Sequence, residues 1–276
     1  MIRRPAVAGQ FYPASNIHLE AEVKRYLATD AKPRDVIGVV SPHAGYIYSG
    51  QVAGATFAAV NVPGRVIILS PNHTGMGAMA SIMPEGEWQT PLGNVAIDAE
   101  LASALMKNCN ELASDTEAHI REHSLEVQLP FLQVKRPDFK MVPITVSHVR
   151  FDVCEAIGKA IARVVKRNQQ PPFEKGGRRG ILIAASSDMT HYEPHETAKA
   201  KDRHAIDRVL AMDAKGLLST CARERITMCG VVPTAIMLIA ARELGATKGE
   251  LIKYATSGEV SGDYDAVVGY AGMVVY

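Results

Sequence analysis

Arg65-Val66-Ile67-Ile68-Leu69-Ser70-Pro71-Asn72-His73 is the stretch on which the fold turns. Its apolar residues run without alternation, as a strand covered on both faces requires, and parallel sheets are covered in this way. The run then breaks into a polar turn that carries a histidine. Val36-Ile37-Gly38-Val39-Val40-Ser41-Pro42-His43 shows the same pattern upstream. Ile181-Leu182-Ile183-Ala184-Ala185-Ser186-Ser187-Asp188-Met189-Thr190-His191 shows it downstream. Between and after these runs, helical spacing covers 49–60, 99–107, 124–134, 153–165, 196–211, 214–222 and 232–244. Further strands are expected at 141–146, 251–257 and 266–275. Alternating βα units predict an α/β fold, a three-layer α/β/α sandwich with a mostly parallel central sheet. One βα rhythm runs throughout, so residues 1–276 are read as a single domain. The stretch 168–180 interrupts it with Pro171-Pro172, Gly176-Gly177 and the cations Lys175, Arg178 and Arg179, and is expected to be a mobile surface loop.

Composition narrows the function by exclusion. Of 276 residues, 30 are Lys or Arg and 29 are Asp or Glu, leaving a formal net charge of +1. That balance lacks the basic footprint of a nucleic-acid binder, so no nucleic-acid partner is expected. No apolar run approaches the roughly 20 residues that span a bilayer, so no membrane partner is expected either. Met1-Ile2-Arg3-Arg4-Pro5 has no apolar run behind its arginines and does not read as a signal peptide. Cys109, Cys154, Cys221 and Cys229 are widely spaced, without a CxxC pair, which fits a reduced cytoplasmic setting better than a disulfide framework. Exposed aromatics and Met-rich segments are compatible with a homodimer.

The chemistry gathers at the strand ends. In an open parallel sheet, ligands bind outside the carboxyl ends of the strands. Three such ends deliver His43, His73 and His191 to one rim, as either a metal site or an acid/base cluster. Asp188 can orient an imidazole or bind a metal there; its plainer role is a helix cap. His119 and His123 are four apart but do not form HExxH, and His119 is expected to be solvated. Cys109, Cys154 and Cys221 read as small buried hydrophobes. Cys229 differs because it precedes an apolar helix, whose N-terminus favours thiolate. A thiolate with two imidazoles suits Fe(II), Cu or Zn. Glycines at 45, 50 and 54 match neither a P-loop nor GxGxxG, and no GxSxG elbow occurs. Ser187, Asp188 and His191 crowd one turn too closely for a relay triad.

Pro5-Ala6-Val7-Ala8-Gly9-Gln10-Phe11-Tyr12-Pro13, Pro42-His43-Ala44-Gly45-Tyr46, Glu122-His123-Ser124-Leu125-Glu126, Ser187-Asp188-Met189-Thr190-His191-Tyr192 and Met228-Cys229-Gly230 together resemble the Memo family. Its prokaryotic members are called AmmeMemoRadiSam system protein B. The resemblance spans nearly the whole chain and implies a fold similar to LigB-type class III extradiol dioxygenases. In those enzymes two His and a carboxylate hold Fe(II). Carried over, His43 and His73 match the His ligands, and Cys229 stands where the carboxylate would be. His191 matches the acid/base His with Asp188 beside it, and His123 falls near the pocket. The implied cofactor is a divalent metal, Fe(II) or Cu first and Zn third, in a site that can be empty as purified. The implied activity is a dioxygenase-like oxidoreduction of a small molecule. The alternative is a non-catalytic module that binds a phosphopeptide or small anion, with Lys175, Arg178 and Arg179 as its rim; eukaryotic relatives bind phosphotyrosine peptides. No CxxxCxxC motif occurs, so the chain is not itself a radical SAM enzyme.

Overall fold

A computed structural model describes residues 1–168 and 180–276. Strands Gly38–Ser41, Leu182–Ser186, Arg65–Pro71 and Lys140–Val146 lie side by side in that order, all parallel. Side chains alternate between the two faces of a strand, and here both faces are covered. Val66, Ile68, Val39, Leu182 and Ala184 enter one buried cluster. Ile67, Leu69, Val40, Ile183 and Ala185 enter the other. Helices Asn16–Leu27, Tyr46–Ala58 and Leu129–Lys135 cover the first face. Ala99–Asn108, Phe151–Asn168, His195–Leu210, Ala214–Glu224 and Val231–Glu243 cover the second. The result is the expected three-layer sandwich.

Antiparallel strands extend the parallel block on both sides. Val267–Val275 pairs antiparallel with Gly38–Ser41, with Gly249–Thr256 and, at its start, with His191–Glu193. Ala80–Ile82 pairs antiparallel with Lys140–Val146. The sheet is therefore mixed overall, with the parallel strands at its centre. Among the described residues, no helix is long and apolar enough to cross a membrane. The loop expected over 168–180 falls almost wholly on 169–179, outside the described residues; Asn168 closes a helix.

Several elements depart from the periodicity. The helix expected over 124–134 splits into a 3-10 turn, Glu126–Gln128, and the helix Leu129–Lys135. Pro130 accounts for the break, because a residue without an N–H fits only the first turn of a helix. Helix Asn16–Leu27 has no counterpart among the expected elements, since only Leu19 and Val23 face the core. Ile2–Arg3, Glu87–Thr90 and Gly93–Ala96 form a small separate sheet that buries Trp88.

Helices Asn16–Leu27 and Tyr46–Ala58 approach closely because Gly54 lies against Tyr26. A Cβ at Gly54 would fall 2.5 Å from both the Cβ and the carbonyl oxygen of Tyr26. Backbone cannot yield as a flexible side chain can. Gly54→Ala is expected to cost about 1–3 kcal/mol through overpacking, read as a lower urea midpoint at unchanged m-value. An unchanged or raised midpoint would show that the helices separate freely.

Candidate metal centre

The parallel register sets the ends of three strands beside one another. Ser41 pairs with Ser186, and Ala185 pairs with both Val40 and Leu69. The turns that follow therefore deliver His43, His73 and Asp188 to one edge of the sheet. Cys229 arrives from across the fold, on the turn before helix Val231–Glu243. Ligand atoms of His43, His73 and Cys229 all lie within 4.8 Å of one another, a grouping that could hold a metal ion. His73, Glu122 and His123 form a second such group that shares His73.

Hydrogen-bond accounting assigns the tautomer of each imidazole. Ser186 Oγ donates its only proton to the Ser124 carbonyl at 2.6 Å. It must therefore accept from Gln128 Nε2 at 2.9 Å and from His43 Nδ1 at 2.9 Å. His43 Nδ1 carries the proton, and Nε2 presents a lone pair 3.1 Å from Cys229 Sγ. His73 Nδ1 lies 2.9 Å from Glu122 Oε1, which fixes the same tautomer because an ionised carboxylate only accepts. Both rings thus turn Nε2 toward the open position. An imidazole with its far nitrogen pinned by an oxygen is the usual supporting arrangement of a metal-ligating histidine.

Glu122 is the member of the site that the sequence reading missed. It is fully buried and accepts four hydrogen bonds: His73 N at 2.6 Å, His73 Nδ1, Ser124 N at 2.9 Å and Ser124 Oγ at 2.6 Å. Burial raises its pKa, but the His73 and Ser124 bonds outweigh burial and hold Glu122 at about 2, against an ordinary 4.5. A depressed carboxylate contributes stability that is complete above its unfolded value and lost as pH falls through the folded one. Glu122→Gln is expected to flatten the acid limb of the stability profile between about pH 4.5 and 2, followed by urea unfolding. An unaltered acid limb would mean that Glu122 does not carry that charge.

For His73 burial is outweighed by the Glu122 hydrogen bond and charge, which raise its pKa, whereas His43, Asp188 and Cys229 are pushed toward neutral forms. His43 is held well below its ordinary value by burial, and by the neighbouring His73, His123 and His191. Asp188 is pushed up to about 6 by burial, against the backbone amides of His43 and Ala44 and the charge of His191. It caps no helix. Its Oδ1 accepts the His43 amide at 2.7 Å, and its own amide donates to Cys229 Sγ at 3.2 Å. Cys229 departs from expectation. Burial and the Asp188 charge push its thiol up, so the helix N-terminus alone does not make it a thiolate. A divalent cation would, since a coordinating thiol is deprotonated outright. Two imidazole nitrogens and one such sulfur form a donor set that fits Fe(II), Cu or Zn.

His191 and His123 complete the wall. The backbone N of His191 donates to Thr227 Oγ1 at 2.7 Å, and its Nδ1 reaches the Thr227 carbonyl at 3.0 Å. A carbonyl only accepts, so the His191 Nδ1 carries a proton, and in the neutral ring Nε2 has the lone pair. The two Thr227 bonds hold that turn, together with Asp202 Oδ1 accepting the Thr190 amide at 2.9 Å and the backbone bonds of Met189 and Thr190 to Gly269. They support Tyr192 at φ 60, a left-handed conformation that bulky residues rarely adopt. The His123 ring stacks 4.8 Å from His73 and meets His43 edge-on at 5.6 Å. Burial lowers its pKa, opposed by Glu122.

His119 is a correction. It is fully buried rather than solvated, with Nε2 2.9 Å from Ser81 Oγ and Nδ1 3.2 Å from Thr145 Oγ1. Its partners come from strands Ala80–Ile82 and Lys140–Val146, and burial lowers its pKa to about 4. It is a satisfied core residue. Cys109, Cys154 and Cys221 are buried free thiols, as expected.

Fold and site together define an α/β/α sandwich with a candidate imidazole–thiolate metal centre at the strand ends. The family model described as Memo-like protein matches residues 3–274. A MEMO1 family protein of Methanopyrus kandleri is 44% identical over 288 residues, covering 99% of each chain. One from Methanothermobacter thermautotrophicus is 41% identical over 283 residues, covering 98% of this chain and 99% of its own. This chain belongs to the Memo-like family. An uncharacterized Escherichia coli K12 protein has a similar fold, with TM-score 0.55 at 14% identity over 86% of this chain and 98% of its own.

Proposed function

We propose that this protein is a metal-dependent oxidoreductase that acts on a small molecule, with His43 Nε2, His73 Nε2 and Cys229 Sγ as ligands to one divalent metal. Iron(II) and copper suit the mixed donor set and redox work best, with zinc third. The observation that carries the reading is the convergence of a ring nitrogen each from His43 and His73 with the Cys229 sulfur, all within 4.8 Å of one another. When bound, the metal would supply a Lewis-acidic, redox-active centre.

The chain's own groups supply the rest. Ser186 and Glu122 keep the two ligating rings in their working tautomer. The Asp188 amide donates to the sulfur, which favours the anionic form once a cation offsets burial. His191 presents a free Nε2 as proton acceptor, and the buried Asp188 lies within its electrostatic reach. His123, kept neutral by burial, walls the far side against His73. Dioxygenase-like turnover, with dioxygen as co-substrate, is the form of this chemistry favoured by the resemblance to LigB-type enzymes. Four free thiols fit a reduced cytoplasmic setting.

The test is metal analysis of protein purified without oxygen. About one Fe, Cu or Zn per chain is expected after loading. A protein that takes up none of the three at stoichiometric levels sinks the reading.

A further inference from the structure

A cavity of about 710 Å³ opens beside the candidate centre, within the size range of small-molecule sites. His73 and Cys229, two of the three residues in the ligand group, line it. Its wall includes Val146, Leu218, Met228 and Val232. Among the described residues, no lysine, arginine, aspartate or glutamate lines it. Away from His73 and Cys229, the described lining offers an anionic group only the His148 imidazole and neutral polar groups such as Ser147 and Thr227 in place of its hydration, and burying an unpaired charge is strongly unfavourable. A neutral apolar body would gain from the same wall, because apolar area leaves water.

We infer that this cavity binds the substrate, and that the substrate is a neutral, predominantly apolar small molecule whose reactive end lies against His73 and Cys229. The inference rests on the proposed metal centre only for which end of the ligand reacts. The apolar wall away from His73 and Cys229 disfavours ligands that place a phosphate or carboxylate against it, a phosphopeptide among them.

The matched pair 2-naphthol and 2-naphthyl phosphate isolates charge on a common ring. Both are titrated calorimetrically into the full chain, before and after chelation. The neutral compound is expected to bind at least tenfold more tightly than the phosphate. Ala222→Phe adds a ring at an exposed position of helix Ala214–Glu224 that borders the cavity. It is expected to weaken 2-naphthol binding at least tenfold while leaving the thermal midpoint unchanged. Phosphate binding as tight as that of the neutral compound, no binding of 2-naphthol up to millimolar concentration, or binding indifferent to Ala222→Phe each overturns the inference. Metal uptake is measured on the same samples. A chain that takes up metal yet rejects 2-naphthol fails the cavity assignment alone; one that binds 2-naphthol without taking up metal fails the metal assignment alone.

Discussion

Glu126→Ala lowers the stability of the chain by about 3–5 kcal/mol, the usual result of removing one partner from a buried ion pair. Glu126 is fully buried and gathers the N-terminal segment onto itself. It accepts the Ala6 amide at 2.7 Å, the Val7 amide at 3.1 Å, and hydrogen bonds from Tyr12 Oη and Arg3. Arg3 is buried too, its guanidinium 4.2 Å from the Trp88 ring centre. Its remaining donors reach the carbonyls of His119 at 3.0 Å and Glu122 at 2.6 Å. Without the carboxylate, the buried Arg3 cation keeps only its two carbonyl acceptors, and the Ala6 and Val7 amides and the Tyr12 hydroxyl lose theirs. Glu126→Gln keeps the shape and some acceptors, so it should fall between wild type and alanine. Urea unfolding measures all three. A loss under 1 kcal/mol for alanine would show that water enters and replaces the carboxylate.

The second large effect concerns metal retention. Cys229→Ser exchanges a soft anionic donor for a hydroxyl that stays protonated, and is expected to weaken Fe(II) or Zn binding by more than a hundredfold. Glu122→Gln leaves every proposed ligand in place but replaces the charged acceptor at His73 Nδ1. Loss of such a supporting carboxylate typically costs 10–100-fold in affinity. Competition against a chelator of known strength reads both. The informative result is the order, with serine worse than glutamine and both folded by circular dichroism. Equal affinities across wild type and both variants would place the metal elsewhere.

How much of this was legible in the sequence depended on whether the signal was local. The three strand-end turns could be read because an apolar run and the turn after it are contiguous. Parallel pairing then puts equivalent positions side by side, as Val40, Ala185 and Leu69 are. Cys229 has no such grammar; its place before an apolar helix marked it, and the family resemblance raised it. Glu122 was invisible because its partners are tertiary. It lies on an irregular segment, and an acidic residue there reads as solvated until His73 and Ser124 are known to surround it. The same blindness made His119 look exposed. Strand Ala80–Ile82, which supplies its Ser81 partner, is only three residues long and leaves no periodic trace.

The span of chain between His43 and Cys229 has a consequence for biogenesis. The two side chains meet across 186 residues of sequence. Contacts of such long range form late, because closing the intervening loop costs entropy before anything rewards it. During synthesis, both histidines leave the ribosome long before the sulfur does, and the central strand Leu182–Ser186 that aligns their turns is also late. A nascent chain halted before residue 229 offers imidazoles to cellular metal without the donor that would complete the set. With the metal held as proposed, selective loading would wait until translation has nearly finished, and a truncated product would carry two of the proposed ligands and no means of assembling them.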